Sequence, residues 1–146
     1  MAARRALITG IAGQDGSYLA ELLVGKGYEV FGLVRGSPES DRPNLAAVRH
    51  ELELLQGDLR DEGALPAALE RSRPDELYNL AAGSFVPASW EAPAATIELM
   101  GASVASMLES IRTRWPGLRV FQASSAEIFG ATPESRSEEH TSNSSH

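Results

Sequence analysis

The sequence predicts an α/β fold: a Rossmann-type doubly wound parallel sheet of about five strands in the order 3-2-1-4-5. Three observations carry that expectation. Short apolar runs alternate with longer stretches of helical period, the rhythm of parallel strands joined by crossover helices that cover both faces. A glycine-rich turn joins the first run to the first helical stretch. No internal repeat or heptad seam competes with this pattern.

Ala6-Leu7-Ile8-Thr9 is the first strand. Gln14 to Lys26 follows as an amphipathic helix with Leu19, Leu22 and Leu23 on one stripe, and Gly25 and Gly27 punctuate its end. The second strand is Glu29 to Val34 and the third Leu52 to Gln56, after which Gly57-Asp58 turns the chain. Between them, Gly36 to Asn44 is polar and holds Pro38 and Pro43, which marks it as loop. Asp61 to Arg71 reads as a helix, Glu76 to Leu80 as the fourth strand, Pro93 to Arg114 as a long helix and Leu118 to Ala123 as the fifth strand.

A chain of 146 residues is one domain or part of one. Thirteen Lys and Arg against 20 Asp and Glu give a net charge of −7, which argues against nucleic acid as a partner. With no Cys and three scattered His (His50, His140 and His146), neither a disulfide framework nor a metal site is expected. The apolar run near the N-terminus breaks at Thr9 and Gly10, too early for a signal-peptide core or a membrane span. A cytoplasmic enzyme or binding module without a membrane partner is the working class.

The stretch from Thr9 to Leu19 is the most informative. Gly10, Gly13 and Gly16 suit a tight turn out of the strand, close approach of backbone to a pyrophosphate, and a helix start that packs flat on the sheet. The helix N-terminus adds free N–H groups and partial positive charge. At the end of the second strand an acid would favour NAD, whereas Arg35 suits the 2′-phosphate of NADP or is a plain solvated arginine. Asp58 suits either an adenine amino group or a turn. Asn79-Leu80-Ala81-Ala82 puts small residues at the carboxyl edge of the sheet, which allows a cofactor to lie on backbone or a helix to pack closely. Ser125 and Glu127 share one face of an extended segment after the fifth strand; they suit proton transfer to a bound hydroxyl, or a capping turn.

The blocks ALITGIAGQDGSYLAELLVGKGYEVFGLVR, GDLRD, RPDELYNLAAGSFVPASWEAP and FQASSAEIFG, in this order and spacing, resemble the N-terminal part of the GDP-mannose 4,6-dehydratase family of extended short-chain dehydrogenases/reductases. The resemblance runs from Arg4 to Gly130. It implies that Gly10, Ile11, Ala12, Gly13, Gln14 and Asp15 hold the pyrophosphate with Gly16 also in the cofactor site, that Arg35 meets the 2′-phosphate of NADP, used in preference to NAD, and that Asp58 and Leu59 meet adenine. Leu80, Ala81, Ala82 and Ser84 would line the nicotinamide side. Ser125 would bond the sugar 4-hydroxyl, and Glu127 would be the catalytic acid/base.

The implied substrate is the nucleotide sugar GDP-mannose, and the full-length protein is expected to be a homo-oligomer. Hydride leaves sugar C4 for the cofactor, Glu127 removes the acidified C5 proton as water is lost from C6, and the hydride returns to C6. A related epimerase or reductase and a non-catalytic dinucleotide-binding module are the alternatives. Three departures from the family pattern stand out: Gly36 where a second Arg is common, Gly83 for a usual Gln, and Ala95 for a Tyr that often contacts the cofactor.

The family also uses a Tyr-x-x-x-Lys pair beyond this point, and Lys26 is the only lysine here. Residues 136–146 resemble the translation of a sequencing-adapter oligonucleotide, although Glu138-Glu139-His140-Thr141 also suits the family. The expectation is an incomplete NAD(P)-binding domain over residues 1–135, inactive alone and prone to aggregate at its fifth-strand edge, with a non-native, disordered tail over 136–146.

Overall fold

The computed structural model describes residues 2–82 and 91–124. Five parallel strands form one sheet in the order β3-β2-β1-β4-β5. They are β1 (Arg5–Thr9), β2 (Glu29–Val34), β3 (Leu52–Gln56), β4 (Glu76–Asn79) and β5 (Arg119–Gln122). The helices are α1 (Gln14–Gly25), α2 (Ala64–Ser72), α3 (Pro93–Ile97) and α4 (Ser103–Arg114). A π-type turn, Glu98–Ala102, joins the last two, so the predicted long helix from Pro93 to Arg114 forms with its middle underwound, one turn there taking an extra residue. The chain reverses direction across the sheet between β3 and β4, and β1 and β4 therefore flank the switch point where ligands of such sheets bind.

Each face has its own core. Ile8, Ile11, Ala20, Leu23, Val30 and Leu54 pack on the α1 side. Leu7, Phe31, Leu33, Leu65, Leu69, Leu77, Met107 and Ile111 pack on the α2 and α4 side. The stripe that α1 buries is Gly16, Ser17, Ala20 and Leu23. Leu22, expected on that stripe, is 54% exposed, because the face that docks is the small one, Gly16 against the glycine turn and Ala20 against the core, which turns Leu22 outward. The end of α1 is a Schellman turn: Tyr28 N–H donates to Leu23 O (3.0 Å), Gly27 N–H to Val24 O (2.8 Å), and Gly27 takes φ +80°.

The predicted start of the second helix at Asp61 shifts to Ala64. Two turns precede it, with Asp61 N–H donating to Asp58 O (2.9 Å) and Ala64 N–H to Asp61 O (3.0 Å). Pro66 explains the shift, since it is tolerated only within the first turn, where its missing N–H would have no partner. The helix ends on Arg73, a non-glycine residue at φ +42°.

The crossover from β2 to β3 has no α-helix. Two single 3-10 turns, Pro43–Leu45 and Arg49–Glu51, carry it over the α1 face, where Leu45 and Val48 are buried. β5 is the outermost strand, and its Phe121, 6.2 Å from the Tyr78 ring, is 54% exposed. Among the described residues no helix is long and apolar enough to cross a membrane.

Candidate dinucleotide site

The mouth of β1 is built from backbone. Gly10 leaves the strand at φ +71°, and a Cβ there would stand 2.8 Å from the Ala81 nitrogen and from the Leu80 carbonyl carbon and oxygen. A Cβ on Gly16 would stand 2.3 Å from Gly10 O and 2.7 Å from Ile11 Cα, so the start of α1 rests on the turn itself rather than on the sheet. A Cβ on Gly13 would meet Gly10 O at 3.2 Å, the atom to which the Gly13 N–H donates at 3.0 Å.

Gly13 is the N-cap of α1, and no side chain caps that helix. The amides of its first turn are thus left to water or to an anion. Gln14 and Asp15 are exposed beside them. The Asp15 carboxylate favours the helix start by opposing its dipole, and it competes with an anion for the same positive end. Ile11 points the other way: it is fully buried, and its Cδ1 and Cγ2 would lie 2.6 Å from a Cβ on Gly32 of β2. Only the backbone of Ile11 is therefore available to a ligand, and Gly32 is what gives its side chain room. Ala12 O accepts from Asn44 Nδ2 (3.0 Å), which ties the irregular crossover to the glycine turn.

At the neighbouring strand ends, the Val34–Gln56 register and the bond from Gly57 N–H to Val34 O (2.9 Å) bring Arg35 beside Gly57 and Asp58. Arg35 is exposed. Asp58 is not free: Arg60 donates to it from its backbone N–H (3.0 Å to Oδ1), Nε (3.0 Å to Oδ1) and Nη2 (2.6 Å to Oδ2). That clasp lowers the carboxyl to about 2, the Arg60 side chain being the main cause and its backbone amide the next. Both lone pairs of Oδ1 and one of Oδ2 are occupied, and one acceptor site on Oδ2 remains for an adenine amino group. Leu59 is half-buried against the α2 side of the core.

A chain of side-chain hydrogen bonds crosses the carboxyl edge. Thr9 Oγ1 donates to Asn79 Oδ1, Asn79 Nδ2 donates to Gln122 Oε1 (2.6 Å), and Gln122 Nε2 donates to Ala123 O (2.8 Å). Ala81 N–H points back to Thr9 Oγ1 (3.4 Å). The ends of β1, β4 and β5 are thereby fixed to one another, with Leu80 half-buried and Ala81 and Ala82 following at the rim. Ser84, Ser125 and Glu127 lie outside the described residues, as does Gly83.

Gly10, Gly13, Leu80, Ala81 and Ala82 are thus brought to one mouth, and Arg35, Asp58 and Leu59 to the adjoining strand ends. Asn44, Arg60, Thr9 and Gln122 were not legible as site residues. Thr9 and Asn79 alone left a usable signal, being polar residues at the last positions of two strands that the topology makes neighbours. A separate cleft of about 860 Å³ between α2 and α4, lined by Leu65, Pro66, Met107 and Ser110 among others, opens on the α2 side, away from the glycine turn.

Strand order, the uncapped helix at the switch point and the glycine turn define a Rossmann-type fold with a backbone-lined cradle at the mouth of β1. The family model described as GDP-mannose 4,6 dehydratase matches residues 7–146, and the chain belongs to that family. It is 40% identical to GDP-mannose 4,6 dehydratase 1 of Arabidopsis thaliana over 91% of this chain, and 36% identical to the human GDP-mannose 4,6 dehydratase over 93%. It spans only 40% and 39% of the lengths of those two relatives.

Among solved structures, UDP-glucose 4-epimerase from Brucella ovis in complex with NAD superposes with a TM-score of 0.74 at 26% identity, over 88% of this chain and 38% of that one. The Thermus thermophilus UDP-glucose 4-epimerase complex with NAD gives 0.65 at 30% identity, over 75% and 34%.

Proposed function

We propose that this chain is the NADP-binding N-terminal part of a cytoplasmic dehydratase that converts GDP-mannose to GDP-4-keto-6-deoxy-mannose by internal hydride transfer and loss of water. The observation that carries the reading is the cradle at β1: a Cβ on Gly10 or Gly16 would collide with backbone, and the adjoining helix tip carries no side-chain cap. These residues fit a dinucleotide. NADP, when bound, supplies the acceptor and later donor of one hydride.

In this reading the amides at the start of α1 hold the diphosphate, the last acceptor site of Asp58 takes the adenine amino group, and Arg35 faces the ribose 2′-phosphate. Leu80, Ala81, Ala82 and Ser84 back the nicotinamide side. Thr9, Asn79 and Gln122 hold the carboxyl edge in register, so that the segment after β5 leaves at the same rim as the glycine turn. Ser125 orients the sugar 4-hydroxyl. Glu127 removes the C5 proton and returns it to the departing C6 hydroxyl, which leaves as water.

NADP⁺ binding to this chain by calorimetry tests the cofactor half, and absence of saturable heat overturns it. Formation of 4-keto-6-deoxy sugar from GDP-mannose by the full-length protein, lost in a Glu127→Gln variant, tests the chemical half. We expect no turnover from this chain alone, since the sequence contains no Tyr-x-x-x-Lys to accept the 4-hydroxyl proton. The likeness to UDP-glucose 4-epimerases favours a second reading as a nucleotide-sugar epimerase. A full-length protein that interconverts epimers without releasing water, and tolerates Glu127→Gln, would establish that one instead.

A further inference from the structure

We infer that Arg42 is a second guanidinium of the 2′-phosphate site, placed there by the β2–β3 crossover in the position left empty by Gly36; this deepens, and rests on, the NADP reading above.

Gly36 follows Arg35 at the end of β2, and the side chain closest to the space a Cβ would fill there is that of Arg42, whose Nη2 lies 3.9 Å from that point. The loop between them is folded around this guanidinium. Arg42 Nη1 donates to Ser40 O (2.8 Å) and Pro38 O (3.4 Å), and Nη2 to Ser37 O (2.9 Å). Arg49 Nη2 donates to the same Pro38 O (3.0 Å), closing the loop from the other side.

Carbonyl acceptors orient a guanidinium without neutralising it. Among the described residues no carboxylate lies within ion-pair distance of Arg35, Arg42 or Arg49, as is true also of Arg73 and Arg114, whereas Arg4, Arg5, Arg60, Arg71, Arg112 and Arg119 all have one. Of the five N–H donors on Arg42, its Nε–H and one on Nη2 have no acceptor among the described residues. A pre-oriented, unneutralised fork beside Arg35 suits a phosphomonoester dianion and offers nothing to a ribose hydroxyl pair that Arg35 would not. Asp58, the carboxylate that the strand ends bring near Arg35, is already clasped by Arg60.

The test is calorimetric titration of the whole chain with NADP⁺ and with NAD⁺ for the parent, Arg42→Gln, Arg42→Lys and Arg49→Gln. The expected result is that Arg42→Gln weakens NADP⁺ roughly tenfold, about the worth of one charge-assisted hydrogen bond, and leaves NAD⁺ within about twofold. Arg42→Lys should fall between parent and Arg42→Gln, and Arg49→Gln should keep the parent ratio. Equal weakening of both cofactors in Arg42→Gln, an unchanged ratio, or a ratio lost equally in Arg49→Gln overturns the inference while leaving the NADP reading in place. A parent chain that binds neither cofactor overturns both.

Discussion

The hydroxyl of Thr9, the last residue of β1, donates to the side-chain oxygen of Asn79, the last residue of β4, and both are almost fully buried. Buried amides are costly to leave unpaired, and Asn79 serves partners on two strands at once. Asn79→Ala should therefore destabilise the chain by about 2 kcal/mol, since it orphans Thr9 and Gln122 together. Gln122→Ala, at an exposed position, should lower stability by less than about 1 kcal/mol. Urea titrations of the two variants check the order.

Two glycines of α1 and its entrance should respond in opposite directions to alanine. Gly10→Ala places a methyl 2.8 Å from the Leu80–Ala81 backbone at a positive φ, and should destabilise by more than about 2 kcal/mol and abolish cofactor binding. Gly25→Ala meets nothing within 4 Å in a helix and should stabilise by about 0.5–1 kcal/mol. Thermal melts separate them.

Arg60→Ala should let the Asp58 carboxyl rise from about 2 toward its ordinary value near 3.8. A carboxyl held low in the folded state contributes stability above its unfolded value, and that contribution fades as pH falls from about 3.8 to about 2. The parent should therefore exceed the variant in stability at neutral pH, by a margin that solvent screening keeps small at this part-exposed pair, and the two should converge below pH 2. Carbon-detected NMR titration of Asp58 gives the direct measurement.

Arg73 closes α2 in the left-handed region at φ +42°, where a Cβ is strained. Arg73→Gly should raise stability by about 1 kcal/mol, seen as a higher Tm without change in cofactor affinity.

Phe121 lies exposed on the outermost strand. Phe121→Lys should reduce self-association of the chain at high concentration, measured by sedimentation velocity.

The parts of this fold that sequence alone made legible are those where one short-range rule decides. β2 and β3 occupy the expected Glu29–Val34 and Leu52–Gln56, because apolar runs bounded by Gly27 and Gly57 read as strands, whereas crossover handedness fixes only which face each connection covers, so the strand order rests on the type of fold recognised. Leu22 was misjudged because helical period fixes a stripe only to within a turn, and the small Gly16 and Ala20, not the leucines, determine which side docks. The start of α2 was placed three residues early because the penalty at Pro66 outweighs the helical period around it. At the site, the glycines were readable since their constraint is local. The Arg60 clasp on Asp58, the bond from Asn44 to Ala12 and the reach of Arg42 to Gly36 are meetings in space between loop residues, which no periodicity encodes.

The irregular passage from β2 to β3 has a consequence for how such a protein can change. It is tied to the rest of the molecule by two buried aliphatic side chains and one amide, its arginine-to-carbonyl clasps being internal to it, while the strands on either side hold their Val30–Leu52 to Val34–Gln56 alignment independently of it. The segment that would touch the adenosine end can accordingly be exchanged as a cassette. Cofactor preference would then drift, or be engineered, without disturbing the scaffold that carries the reaction.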